Sequence, residues 1–399
     1  MQPTAAHSTD WVSRAKGVTE VEQALLILSE GDFHGRWEVV KRFPDVGQSS
    51  VAPLLAIARD PDRELESRWF AVRSLGRFTT PQAIAALAQL VAEVDEDDLS
   101  VLAAEQLAGM GSQAVAALIP LLDHPLERPL AVRALAQIRQ RAVIEPLLSV
   151  VADTDSQLRQ TAIEALGSFH DPRVTAVLLA ALDDPSASVR REAITALGHR
   201  HDLCGTPDLL MPLQDCLWDI DLAVCCQAVI ALGRLPLPQT VPSLEKLLAA
   251  SQTPESLLLH AVRSLTWIDT ETALTVLLER YEGLPAIAQI EILRRLKQMT
   301  TARTRSVNFL RALLKDPSRL PTEIKQAAAL SLGQLGDETT FLALVPLLAD
   351  PNRQVQFHCL RALEQLTPHD LAEQLQAVLD SGEVPVAVQA SIEAHLAAW

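Results

Sequence analysis

Apolar residues recur at helical spacing over residues 183–198, and polar residues fill the gaps. Val189, Ala193, Ala196 and Leu197 share one face at a period of 3.6, which predicts a short amphipathic helix. Before it stand Asp183, Asp184 and Pro185, a turn that a preceding helix cannot cross. After it comes Gly198, read as a helix stop because glycine tolerates the left-handed conformation. Residues 174–182 form another apolar helical run. The unit is helix, tight turn, helix, stop.

The unit recurs along the chain. The position of Gly198 falls at Pro44, Gly76, Ala108, Ala136, Gly167, Gly233, Thr266, Lys297, Gly333, Glu364 and Ala397. The spacing averages about 32 residues, in the range of stacked helical repeats. Twelve helix pairs, about 24 helices, are predicted: an all-α superhelical solenoid. Residues 1–17 read as a polar N-terminal segment, and 18–399 as one continuous array. That array has a regular, arginine-bearing half to about residue 200 and a divergent half from about 201 onward.

The motif that runs from Asp184-Pro185 through Val189-Arg190, Ala193 and Ala196-Leu197-Gly198 resembles the HEAT repeat, in the short form found in phycobilisome lyases. Residues 158–167, 224–233 and 324–333 repeat it, and the resemblance covers nearly the whole chain. It implies that the second helix of each pair lines a concave inner surface. It also implies a cyanobacterial setting, in assembly or turnover of light-harvesting complexes. It is specific for fold and unspecific for function, because such repeats serve unrelated roles.

One position changes character along the array. Arg36, Arg68, Arg128 and Arg159 stand where Arg190 does, and Ser100 interrupts them. This position lies at the edge of the apolar face, so the stem is buried and the guanidinium needs a partner. The turn residues Asp60, Asp123, Asp155 and Asp184 are the expected partners, giving an Asp–Arg ladder. Farther on, Cys225, Leu258, Gln289, Lys325, Gln356 and Gln389 replace the arginine.

Composition narrows the function classes. Leu and Ala supply the core, with apolar residues at 48% and aromatics at only 4%. The net charge of -16 disfavours a general nucleic-acid binder. Residues 280–325 reverse the sign, with Arg294, Arg295, Lys297, Arg303 and Arg305 at their centre. That stretch reads first as a solvated face and second as a patch for an acidic partner. The acidic residues 93–98 read as a solvated loop, since the glycine turn of a calcium loop is missing. No signal pattern or spanning apolar run occurs, and the five cysteines form no secreted framework, so a reducing cytoplasmic location is expected.

No nucleophile elbow, phosphate loop or dinucleotide fingerprint is present. His170, His199, His201, Cys204, Cys216, Cys225 and Cys226 are the types that hold zinc or iron–sulfur clusters. Their irregular spacing favours buried or incidental cysteines, and no metal or other cofactor is expected. A sharper signal is Trp37 and Trp69, one repeat apart, each following a repeat arginine. The wheel places both opposite the core stripe, where large aromatics mark an interface. Phe70 adjoins them, and Lys41 and Arg73 would rim them one turn later. The competing reading covers the rings with loops or with the N-terminal segment and its Trp11.

The expected function is a non-enzymatic acidic scaffold that binds another protein through Trp37, Trp69, Arg36, Arg68, Phe70, Lys41 and Arg73. The alternative, which rests on the resemblance, is a bilin lyase subunit acting on phycobiliproteins. Trp37 and Trp69 would then hold the tetrapyrrole, and Arg36 or Arg68 its propionates.

Overall fold

The computed structural model describes residues 19–93, 97–203, 207–235, 237–301, 303–367 and 370–397. Residues 1–17 with Trp11, residues 94–96 of the acidic stretch, Cys204 and Trp399 lie outside them. The described residues form 24 α-helices, short 3-10 turns and no strand. None of these helices is long and apolar enough to cross a membrane. Two compact units divide the chain, Met1–Ala193 and Ile194–Trp399, and each is a solenoid of stacked helix pairs.

The first unit opens with α1 (Glu20–Glu30) and α2 (Phe33–Val46), then α3 (Val51–Arg59) and α4 (Leu65–Leu75). Thr19 and Glu22 form a reciprocal capping box on α1, satisfying two N–H groups that a helix start leaves open. Asp32 caps α2 by accepting from the Gly35 N–H at 2.8 Å. Helix α2 buries Val39, Val40 and Phe43, and α4 buries Phe70, Ala71, Val72 and Leu75. Second helices of successive repeats pack on each other: α2 on α4, and in the other unit Leu222–Arg234 on Glu255–Ile268. The repeat pattern of the sequence thus holds; Val189, Ala193, Ala196 and Leu197 are all buried.

Two readings change. The repeat glycines do not act through a left-handed backbone. Gly76 and Gly167 have φ of -65° and -55°, and the positive-φ glycines are Gly47, Gly111, Gly336 and Gly382. The role of the repeat glycines is close approach. A Cβ on Gly198 would lie 2.8 Å from the Cβ of Ala231, and one on Gly333 would lie 2.7 Å from the Cα of Ala362. At Gly233 and Gly333 the helix runs on past the glycine.

The ladder partners also differ. Arg159 pairs with Asp184 as expected, Nε to Oδ2 at 2.8 Å and Nη2 to Oδ1 at 2.7 Å. Arg128 instead pairs with Asp153, and Arg36 with Glu64 and Glu66. Asp155 caps its own helix, and Asp60 pairs with Arg63. Lys325 keeps the ladder in the second unit by pairing with Asp350, both side chains nearly buried.

Candidate functional site

The site residues lie on α2 and α4, which pack on each other. Trp37 and Trp69 occupy equivalent places on these helices, and both rings are half-buried rather than fully exposed. The cause is Phe70, which is wholly buried beneath them. Its ring meets Trp37 edge-on at 6.4 Å and Trp69 edge-on at 5.1 Å. Phe70 is therefore the floor of the cluster and no part of its exposed surface.

Arg36 and Arg68 are likewise interior, each 4% exposed. Arg36 donates to the Ser29 carbonyl as well as to Glu64 and Glu66, and Arg68 donates from Nε to the Ala58 carbonyl at 3.0 Å. Neither is placed to meet a partner, because both guanidinium groups are buried, Arg36 against the next repeat and Arg68 against the Ala58 carbonyl. Lys41 is exposed and holds Glu38 at 2.8 Å, and its ammonium keeps the Glu38 carboxyl below the usual range.

Arg73 does more than rim the rings. Its guanidinium carbon lies 5.0 Å from the Trp37 centroid and 5.2 Å from the Trp69 centroid, so the cation bridges the two indoles. Phe33, not singled out from the sequence, extends the face. It is 62% exposed and stacks on Trp37 at 6.2 Å with an interplanar angle of 12°. Phe33 stands four residues before Trp37 on one helix, a spacing at which side chains meet, so the signal was available. Among the described residues, Phe33, His34 and Trp37 line an open cavity of about 190 Å³.

The basic stretch of residues 280–325 is partly neutralised by acids outside it or within it. Arg280 pairs with Glu245, Arg305 with Glu271, Arg295 with Glu291 and Lys325 with Asp350. Arg303 donates to the Leu335 carbonyl. Arg294 and Lys297 remain exposed, without an ion pair among the described residues.

The histidine and cysteine set does not converge. Among the described residues no group of three or more His, Cys, Asp or Glu is arranged to hold a metal. Cys216 is buried where a small residue was expected. The Cys225 thiol donates to the Asp219 carbonyl at 3.1 Å, and burial pushes the Cys225 and Cys226 thiols up, away from the reactive thiolate. His199 donates from Nδ1 to the Thr195 carbonyl and accepts from Arg234, while His201 is exposed.

Comparisons with known proteins fit this architecture. No curated protein matches the sequence significantly. Among solved structures, Kap95p with RanGDP aligns over 94% of this chain and 59% of that chain, at 13% identity and a TM-score of 0.61. The Kap95–Nup1 complex gives 94% and 60%, at 13% identity and 0.62. Kap121p bound to Ste12p gives 87% and 44%, at 14% identity and 0.61. The chain thus spans about half the length of these relatives, and at such identity the likeness is one of fold. A PBS lyase HEAT-like repeat matches residues 67–93, which include Trp69 and Arg73. The HEAT repeats family matches residues 115–198, 175–255 and 307–395, more than half of the chain. The chain belongs to the HEAT-repeat family.

Proposed function

We propose that the protein is a non-enzymatic scaffold that binds another protein through the aromatic face of α2 and α4. The observation that carries this reading is the run of Phe33, Trp37 and Trp69 on adjacent helices, anchored on buried Phe70 and bridged by Arg73. Aromatic and arginine clusters of this kind dominate binding energy at interfaces. The solved relatives Kap95p and Kap121p, by their descriptions, bind RanGDP, Nup1 and Ste12p, so the fold suits protein partners. The raised thiols of Cys225 and Cys226 argue against thiol chemistry. The cellular setting proposed is cytoplasmic, in the handling of photosynthetic light-harvesting complexes, and it leans on the PBS lyase HEAT-like repeat at 67–93.

The test is recovery of partners from the native cell, then rebinding of the purified partner to the wild type and to Trp37→Ala/Trp69→Ala. The double variant should lose about 2 kcal/mol or more of binding free energy. Equal affinity would sink the reading.

That same match, which spans Trp69 and Arg73, favours one second reading, a bilin lyase subunit. In it the face holds a tetrapyrrole, with Arg73 rather than Arg36 or Arg68 available to the propionates. The protein mixed with free bilin and apo-phycobiliprotein would decide. A covalent coloured adduct forming faster than in a protein-free control would establish the lyase over the scaffold.

A further inference from the structure

Arg73 differs from the two buried arginines beside it. Arg36 reaches two carboxylates and a carbonyl, and Arg68 a carbonyl. The Arg73 guanidinium has two indole faces and, among the described residues, no hydrogen-bond acceptor and no carboxylate. Glu38, beside Trp37, is occupied by Lys41. A guanidinium carries five N–H donors in a planar fork. The ring contacts run through the guanidinium carbon, and no described residue takes its N–H groups. Wedged between two half-buried rings, that fork is already held in place, so a ligand need not restrain a flexible side chain.

The surroundings carry little opposing charge. Arg36 and Arg68 are buried, Arg36 on Glu64 and Glu66, and Lys41 holds Glu38, so among the described residues of α2 and α4 the charges left over are Arg42 and Arg73 against Asp45. Beside the fork lie the exposed ring of Phe33 and the open cavity that Phe33, His34 and Trp37 line.

We infer that Arg73 is a preorganised carboxylate receptor, and that the partner reaches this face with an acidic peptide segment: an Asp or Glu on the Arg73 fork and an adjacent apolar side chain against Phe33 and Trp37. The inference rests on the scaffold reading and names its partner chemistry. The carboxylate accepts two N–H bonds in the plane of the guanidinium while the indoles keep that plane fixed.

The experiment uses the full chain and a random-peptide phage library. Peptides are selected on the wild type and counter-selected on Trp37→Ala/Trp69→Ala. Those that need the two tryptophans should carry a recurrent Asp or Glu next to an apolar residue. Changing that acid to its amide in a synthetic peptide should weaken binding to the wild type about tenfold or more, the scale of a charge-assisted pair. The same change should matter little on Arg73→Gln. The peptide substitution leaves the protein untouched, so a folding defect cannot imitate it. Tryptophan-dependent peptides with no acidic preference would overturn the carboxylate receptor and leave the binding face standing. Absence of any tryptophan-dependent peptide would overturn both. Peptides that bind only after residues 2–18 are deleted would make the chain's own N-terminal segment the occupant, which also overturns the inference.

Discussion

Removing Asp184 tests how the ladder holds repeats together. Its carboxylate takes two N–H groups of Arg159 at 2.8 and 2.7 Å and the Ser186 backbone N–H at 2.8 Å. The two side chains are only 12% and 10% exposed. In Asp184→Ala the Arg159 guanidinium stays in place, because Nη1 is also held by the carbonyls of Asp153 and Thr154. It is then a nearly buried charge that has lost its ion-pair partner, with Asp153 and Asp155 acting on it only from a distance. Breaking a buried pair from one side costs about 3–5 kcal/mol, and the residual solvent access lowers this to about 2–4. The comparison pair is Arg173–Glu145, at 2.6 Å, with side chains 56% and 79% exposed. Glu145→Ala should cost less than about 1 kcal/mol, since water already screens that pair.

Urea unfolding followed by circular dichroism measures both, and a double-mutant cycle with Arg159→Met isolates the coupling. The pH arm has a definite sign. Burial raises the Asp184 carboxyl, but Arg159 and the Ser186 N–H outweigh it and hold it below its ordinary value. A depressed acid stabilises the fold above its unfolded pKa of about 3.9 and loses that contribution as pH falls through the folded value. The gap between wild type and Asp184→Asn should therefore be full at neutral pH and close below about pH 4. Equal costs for Asp184→Ala and Glu145→Ala, or a gap that persists in acid, would refute the reasoning.

Three further outcomes follow from packing and burial. Phe70→Ala should cost about 3–5 kcal/mol, while Trp37→Ala and Trp69→Ala, which remove half-buried rings, should each cost about 1–2; thermal melts that reverse this order would deny Phe70 its place as the floor. Gly333→Ala should destabilise by about 1–3 kcal/mol, because its Cβ would meet Ala362, whereas Gly109→Ala faces open space and should stabilise by up to about 1 kcal/mol. Tyr281 is the sole tyrosine, buried and pushed up to about 12, so phenolate absorbance should appear near pH 12 in the native protein. A midpoint near the ordinary value of about 10 would show the hydroxyl to be in water.

The period was legible because each unit repeats the same core pattern, and small shifts in one unit do not hide it. The glycines were misread for a physical reason. A helix stop and a close approach both place glycine at the end of an apolar run, and only the neighbouring repeat distinguishes them, as Ala362 does for Gly333. The burial of Arg36 and Arg68 was hidden likewise. Arg36 takes its partners from residues 28 and 30 positions away, on a helix whose register the sequence does not state. The tryptophans were found but placed too far out, since the wheel ignores the buried Phe70, which meets Trp37 from the adjacent repeat and Trp69 from its own helix.

The loss of arginine after the sixth repeat looks in the sequence like a change of surface, yet apart from Leu258, and Lys325 on the Asp350 carboxylate, the position keeps one job in both units. The turn ahead of each second helix leaves backbone carbonyls that need a donor, and the ladder side chain supplies one. Arg128 caps the Leu122 carbonyl, Arg159 that of Asp153 and Arg190 that of Asp184. In the other unit Cys225 caps Asp219, Gln289 caps Tyr281, Gln356 caps Asp350 and Gln389 caps Val384. Where Leu258 cannot donate, the Thr253 hydroxyl takes the Leu247 carbonyl instead. The constant demand is thus for a donor, and the positive charge is dispensable. That distinction separates architecture from binding. An arginine on the ladder answers a need of its own fold, and a glutamine can replace it. Arg73 answers none: no carbonyl or carboxylate of the described residues takes its N–H groups. Exposed arginines such as Arg42 and Arg294 also find no acceptor among the described residues, so what sets Arg73 apart is the combination of half-burial between two indoles and unused N–H groups, the arrangement a receptor for a partner's carboxylate requires.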